Sequence, residues 1–181
     1  MSPVPHRGPG KPVYADPSVT LPPPARPSVF LPDRAATLRY GRALAGLLRA
    51  GDLLILDGPL GAGKTTLVQG IGAGLGVTDP ITSPTFVIAR VHRDGRVPLL
   101  HADAYRLSGI DELDDLDLDM DLEDAVTAIE WGEGIAEHLA DEYLLVSIDR
   151  ESADAGDGRT VTLHPHGGDW TRRLSGFESE M

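Results

Sequence analysis

A chain of 181 residues, 41% hydrophobic and 24% charged, has room for one domain with its own core and the composition of an ordinary globular protein. Its net charge of −12 sets the surface against phosphate backbones, which argues against direct non-specific nucleic-acid binding; if the protein serves an RNA pathway, a partner is expected to hold the RNA. It has no cysteine, hence no disulfide framework, thiolate zinc site or cysteine nucleophile; no run reaches the roughly 20 apolar residues of a membrane span, and prolines stand where a secretory apolar segment would lie, so the expectation is a cytoplasmic protein that meets no membrane.

Residues 1–27 are proline-rich and poor in large apolar side chains, the pattern of a disordered tail. The domain is expected over 28–165. It opens with a short edge strand at 29–31. Asp33 is placed to cap a helix whose apolar residues, Ala36, Leu38, Tyr40, Leu44, Leu47 and Leu48, share one face and which ends near Gly51. The unbroken apolar run 53–56 predicts a strand buried on both faces. A glycine loop follows, then a helix over 65–75. Strands are expected at 86–91 and 97–101. They are joined by Asp94-Gly95, a hairpin signal that predicts antiparallel pairing. A strand at 125–130, a short helix at 135–139 and strands at 143–148 and 160–163 complete the domain. The tail 166–181 carries one signal, a short helix near Trp170. Strands alternating with helices predict an α/β three-layer sandwich of the P-loop NTPase kind, its central sheet mostly parallel with antiparallel edge strands.

The chemistry is concentrated at Asp57-Gly58-Pro59-Leu60-Gly61-Ala62-Gly63-Lys64-Thr65-Thr66, which contains G-x-x-x-x-G-K-T. Glycines allow unusual dihedrals and remove side chains that would block a phosphate. Successive N–H groups then form an anion nest, and the following helix adds its positive end. The backbone of Gly58, Leu60, Gly61, Ala62, Gly63, Lys64, Thr65 and Thr66 is expected to hold ATP. Lys64 is one of two lysines in the chain, and it reaches the terminal phosphates while the Thr65 hydroxyl takes Mg²⁺. The nearby Gly70-Ile71-Gly72-Ala73-Gly74-Leu75-Gly76 is not a dinucleotide fingerprint. It falls inside and after a helix, where close packing and a glycine stop account for it.

A P-loop hydrolase needs carboxylates at the carboxyl ends of its strands. Asp103, after the 97–101 strand, and Glu130, at the end of an apolar run, are the candidates for Mg²⁺ and for catalysis beside Lys64. Which of the two meets the metal directly stays open. Thr82-Ser83-Pro84-Thr85-Phe86 offers a hydroxyl, Thr85 among them, either to the nucleotide's last phosphate or to a local turn.

In this order and spacing the loop, Ser83-Pro84-Thr85-Phe86, His101-Ala102-Asp103-Ala104-Tyr105-Arg106-Leu107 and Glu130-Trp131 resemble the TsaE family over about 29–145. That resemblance implies Mg²⁺-dependent ATP hydrolysis, feeble alone, in threonylcarbamoyladenosine (t6A) modification of tRNA. It implies TsaB and TsaD as partners, with tRNA met only through them. It also implies that Asp103 and Glu130 serve Mg²⁺ and hydrolysis and that Thr65 ligates the metal. Pro59 stands where the family often has an acid, and Ala102 and Ala104 where it has bulkier residues.

Other readings are weaker. A small-molecule kinase would use the same loop but needs an arginine-bearing lid, and no inserted segment suggests one. A GTPase would need N-K-x-D, and the chain has no asparagine. A nucleotide sensor without chemistry would not need Lys64, Asp103 and Glu130 together. The acidic stretch 111–124 lacks the glycine of a calcium loop, with Leu122 in its place. It reads as a solvated helix with a leucine face or as a docking surface for a basic partner. His164 and His166 have no evident further metal ligand.

Overall fold

In chain order the elements are β1 (Ser28–Leu31), α1 (Arg34–Ala45), β2 (Leu53–Asp57), α2 (Lys64–Leu75), β3 (Ala89–His92), β4 (Leu99–Asp103), α3 (Ile110–Asp114), β5 (Val126–Glu130), β6 (Tyr143–Arg150), β7 (Arg159–His166) and α4 (Trp170–Leu174). The structure is a computed structural model and describes residues 28–84, 89–107, 109–114, 122–150 and 157–177. The tail expected over 1–27, Thr85, and the middle of the acidic stretch lie outside the described residues.

The strands form one sheet in the order β1-β7-β6-β2-β5-β4-β3. Its centre, β6-β2-β5-β4, is parallel. At the edges β3 runs antiparallel to β4, and β7 antiparallel to β6 and β1. The expected α/β sheet, parallel inside and antiparallel at its edges, is thus observed. β2 lies at the centre because Leu53, Leu54, Ile55 and Leu56 are all buried, and alternation sends them to both faces. Leu54 and Leu56 pack under α1 and α2 with Val126 and Ala128 of β5, while Leu53 and Ile55 join Ile129, Leu100 and Leu113 of α3 on the far face.

α1 begins where expected: the Asp33 carboxylate accepts from the Ala36 N–H at 2.6 Å. It ends at Ala45, not near Gly51, because the N–H groups of Gly46, Leu47 and Leu48 turn back to carbonyls three residues earlier. Glycines set its distance from α2. A Cβ on Gly41 would lie 2.6 Å from the Leu67 carbonyl oxygen, and one on Gly74 2.6 Å from the Ala45 Cβ. Gly76 ends α2 at φ +85°. The glycine-rich run therefore serves helix packing and a helix stop, as its position in the sequence suggests.

Three local expectations need correction. The second strand of the hairpin covers Leu99–Asp103, not 97–101, so Asp103 lies inside the strand. Pro98 has no N–H to give a ladder, and its carbonyl takes the Val126 N–H at 2.9 Å just before pairing starts. The hairpin forms, but Gly95 is not in the left-handed region. It is glycine because a Cβ would lie 2.9 Å from the Leu75 carbonyl oxygen. The helix expected at 135–139 is only a 3₁₀ turn, Glu137–Leu139.

Asp94 ties this hairpin to the end of α2. Its carboxylate accepts from the Thr78 hydroxyl at 2.6 Å, the Thr78 N–H at 2.7 Å and the Asp79 N–H at 3.1 Å. The Thr78 hydroxyl first, then its amide, hold the carboxyl down at about 2. At the other end of the sheet α4 closes the core with Trp170 and Leu174, joined by Phe177. An ion pair fixes it: Arg173 meets buried Asp52 through two bonds, 2.7 and 2.8 Å long, and lies 3.7 Å from the Trp170 ring centroid.

Two outcomes follow from these clamps. Arg173→Ala strips Asp52 of its two guanidinium bonds and leaves it the Arg49 N–H at 2.9 Å and the Arg49 side chain at 3.9 Å, so it should cost about 1–3 kcal/mol in urea unfolding, with α4 released. Asp94 has its folded pKa below the unfolded 3.8, so its contribution is present above that value and fades as pH falls towards 2. The stability gap between the native chain and Asp94→Asn should accordingly be full at neutral pH and shrink across that window.

Candidate functional site

β2 runs out of the core at Asp57, and α2 begins at Lys64 after a connection of six residues. The connection turns through Gly58 at φ +140°, Gly61 at +77° and Gly63 at +108°. Only glycine takes such angles without strain. At Gly58 space demands it too, since a Cβ would run into the Ile148 carbonyl; at Gly63 a Cβ would lie 2.5 Å from Arg159 Nη1, and the dihedral angle is the stronger constraint. Gly63 is the N-cap of α2 and has no side chain to offer, so no side chain caps the helix. Its first-turn N–H groups and positive dipole end stand at the edge of a cleft of about 490 Å³.

The cleft is lined by Leu60, Gly61, Ala62, Gly63, Lys64, Thr65 and Thr66 from the loop, and by Asp103 and Glu130 from the strands. These two acids are register partners at the carboxyl ends of adjacent parallel strands. Both are buried, as is Lys64. Lys64 Nζ donates to the carbonyls of Gly58 at 2.5 Å and Pro59 at 3.1 Å. Burial pushes its ammonium below the ordinary lysine value, opposed by the negative charges of Glu130, Asp57 and Asp103. The Thr65 hydroxyl lies 2.8 and 3.1 Å from the two Glu130 carboxylate oxygens. Asp103 accepts from the Tyr105 N–H at 3.0 Å and more distantly from the Ser83 hydroxyl at 3.4 Å.

The sequence-predicted set thus converges. Lys64, Thr65, Asp103 and Glu130 face one space, and Gly58 borders it by holding the lysine. From the 82–86 segment the Ser83 hydroxyl reaches the site; Thr85 falls outside the described residues.

Three residues at the site have no role in the motif chemistry. Trp131 is the one non-glycine residue with positive φ among the described residues, at +61°. Its N–H bonds the Leu56 carbonyl at 2.8 Å, and its ring lies 3.5 Å below Lys64 Nζ and 5.0 Å from the Tyr105 ring. Arg159, at the start of β7, donates to the Ala62 carbonyl at 3.3 Å from nearly a hundred residues downstream. His101 sits beside Glu130, with Nε2 2.8 Å from Oε1. The sequence carried a signal for the first and last, an aromatic after the acid and a histidine inside an apolar strand, but none for Arg159.

The donor set fits a magnesium nucleotide. One hydroxyl and two carboxylates supply the hard oxygen ligands that Mg²⁺ prefers. The glycines keep clear a cradle that Cβ atoms would fill.

Strand, glycine loop and helix, set at the carboxyl edge of a parallel sheet, define an α/β protein of the P-loop class. The sequence profile described as "Threonylcarbamoyl adenosine biosynthesis protein TsaE" matches residues 31–161. A Streptomyces coelicolor tRNA threonylcarbamoyladenosine biosynthesis protein TsaE is 58% identical over 135 residues, covering 72% of this chain and 90% of that protein. The Mycobacterium tuberculosis protein of the same name is 50% identical, covering 67% and 78%, and the Bacillus subtilis one 41%, covering 65% and 74%. A crystal structure of Bacillus subtilis YdiB superposes with a TM-score of 0.71 at 29% identity, covering 86% of this chain and 96% of that one. The chain belongs to the TsaE family of tRNA threonylcarbamoyladenosine biosynthesis proteins, as its motifs suggest. Among the described residues no helix is long and apolar enough to cross a membrane.

Proposed function

We propose that the chain binds Mg-ATP in this cleft and hydrolyses it, weakly when alone. In this reading it is a cytoplasmic accessory ATPase of t6A synthesis, acting on a complex of TsaB and TsaD and meeting tRNA only through them. The observation that carries the reading is the convergence of Lys64, Thr65, Asp103 and Glu130 on the uncapped start of α2.

The loop amides and the helix dipole bind the phosphate oxygens, and Lys64 exchanges the Gly58 and Pro59 carbonyls for them. Thr65, Asp103 and Glu130 would hold the metal. When bound, Mg²⁺ offsets the charge that builds up on the transferred phosphoryl group. Glu130 also acts on the nucleophile, its carboxylate orienting the attacking water and accepting its proton. The Trp131 ring, with Tyr105 tilted against it, covers the lysine and keeps water from its ammonium. The chain's strong negative charge fits a protein that leaves the RNA to others.

Lys64→Ala should abolish saturable Mg-ATP binding, read by calorimetry on the full chain. Glu130→Ala should keep that binding while phosphate release, assayed with TsaB and TsaD present, slows by about 10²- to 10⁴-fold. Turnover at the native rate in the Glu130 variant would refute its role. Phosphate appearing only when a small acceptor molecule is added would point to a kinase instead.

A further inference from the structure

From the buried hydrogen bond between β4 and β5 we infer that His101 is a positioning residue: its Nε2–H holds the Glu130 carboxylate in the orientation that hydrolysis needs. The inference rests on the ATPase reading above and extends it to a residue that does not touch the nucleotide.

Alternation along the strands sets the geometry. Leu99, His101 and Asp103 of β4 share a sheet face with Val126, Ala128 and Glu130 of β5, and Leu99, Val126 and Ala128 belong to the core beneath α1 and α2. His101 is the register partner of Ala128, and Asp103 that of Glu130. His101 therefore reaches Glu130 on the diagonal, one step further into the core. Its Nε2 lies 2.8 Å from Oε1. A carboxylate can only accept, so Nε2 carries the proton and donates.

Packing does not explain the histidine. Its side chain is 1% exposed, and its Nδ1 has no partner among the described residues. An unmatched buried nitrogen is costly, and an aliphatic residue would fill the same place without that cost. The bond to Glu130 is what the imidazole provides that leucine cannot. Its importance grows when the site is engaged. The Glu130 carboxylate also meets the Thr65 hydroxyl, at 2.8 and 3.1 Å, which the proposed function commits to the metal. Once Thr65 turns to the metal, His101 is the side chain still bonded to Glu130 Oε1, and it sets how the carboxylate is turned between metal and water. A glutamate free to turn about its side-chain torsions would still lie near the phosphates, but it would seldom point at the water.

The test compares His101→Leu with His101→Gln in the full chain assayed with TsaB, TsaD and Mg-ATP. Gln can place an amide N–H near the position of Nε2, and leucine cannot. His101→Leu should lower kcat by about 10- to 100-fold with KM and the calorimetric Mg-ATP affinity changed less than about twofold, and His101→Gln should recover most of the loss. A second measurement needs no turnover and no variant at His101. In nucleotide-free protein the His101 Nε2–H should appear in proton–nitrogen spectra as a slowly exchanging signal, lost in Glu130→Ala. Native kcat in His101→Leu overturns the inference. So does equal damage by Leu and Gln, or a loss of binding in step with kcat, each the mark of a merely structural residue. Should His101→Leu fail to fold, the glutamine variant and the Nε2–H signal decide. If the native chain itself releases no phosphate with its partners present, the ATPase reading falls and takes this role with it, a result distinct from native turnover that His101 does not affect.

Discussion

The start of α2 has no side chain to satisfy it, and the site is arranged around that deficit. A helix leaves its first N–H groups without intrahelical acceptors. Most helices answer with a serine, threonine or aspartate, as α1 does with Asp33. α2 answers with Gly63 at φ +108°, which supplies no acceptor and no bulk. The elements around it keep this end in place. Gly41 and Gly74 let α1 and α2 approach backbone to backbone, and the buried β2 aims the loop out of the sheet. What is left is a concentration of donors at the edge of a cleft.

Charge then makes that edge selective. Lys64 adds a cation and is itself buried, so its ammonium is held in place by the Gly58 and Pro59 carbonyls, by the Trp131 ring face, and by the field of Glu130, Asp57 and Asp103. Each of these contacts is exchangeable. An arriving polyanion meets a lysine that is already desolvated and needs little reordering. The strain at Trp131, with its positive φ directly after Glu130, is consistent with a position chosen for what its ring touches rather than for backbone ease.

Sequence and structure agree where the determinants are local. The loop was legible because each of its residues has a separate physical role and all of them lie within ten positions between a buried strand and a helix. Glu130 was legible as an acid closing an apolar run. The register of β4 was not: Pro98 moves the start of pairing, and a period of two cannot reveal a shift of two residues. The end of α1 was missed because apolar Leu47 and Leu48 continue the helical pattern past the point where the hydrogen bonds tighten. Contacts between distant segments left no trace at all. Arg159 beneath the loop, and Arg173 of α4 against Asp52, depend on how β6, β7 and the C-terminal residues fold back across the sheet. His101 was visible as a histidine in an apolar strand, but its diagonal reach to Glu130 required the pairing of β4 with β5.

The central claim is that the amides of this loop, together with Lys64, grip a triphosphate. Its most direct test is a titration of isotopically labelled full-length protein with Mg-ATP, followed through the backbone amide resonances. Saturable shifts should concentrate at Gly61 to Thr66 and reach the Trp131 indole above which Lys64 sits. Folded protein whose loop amides stay unmoved at saturating Mg-ATP, with TsaB and TsaD present as well as absent, would contradict the claim.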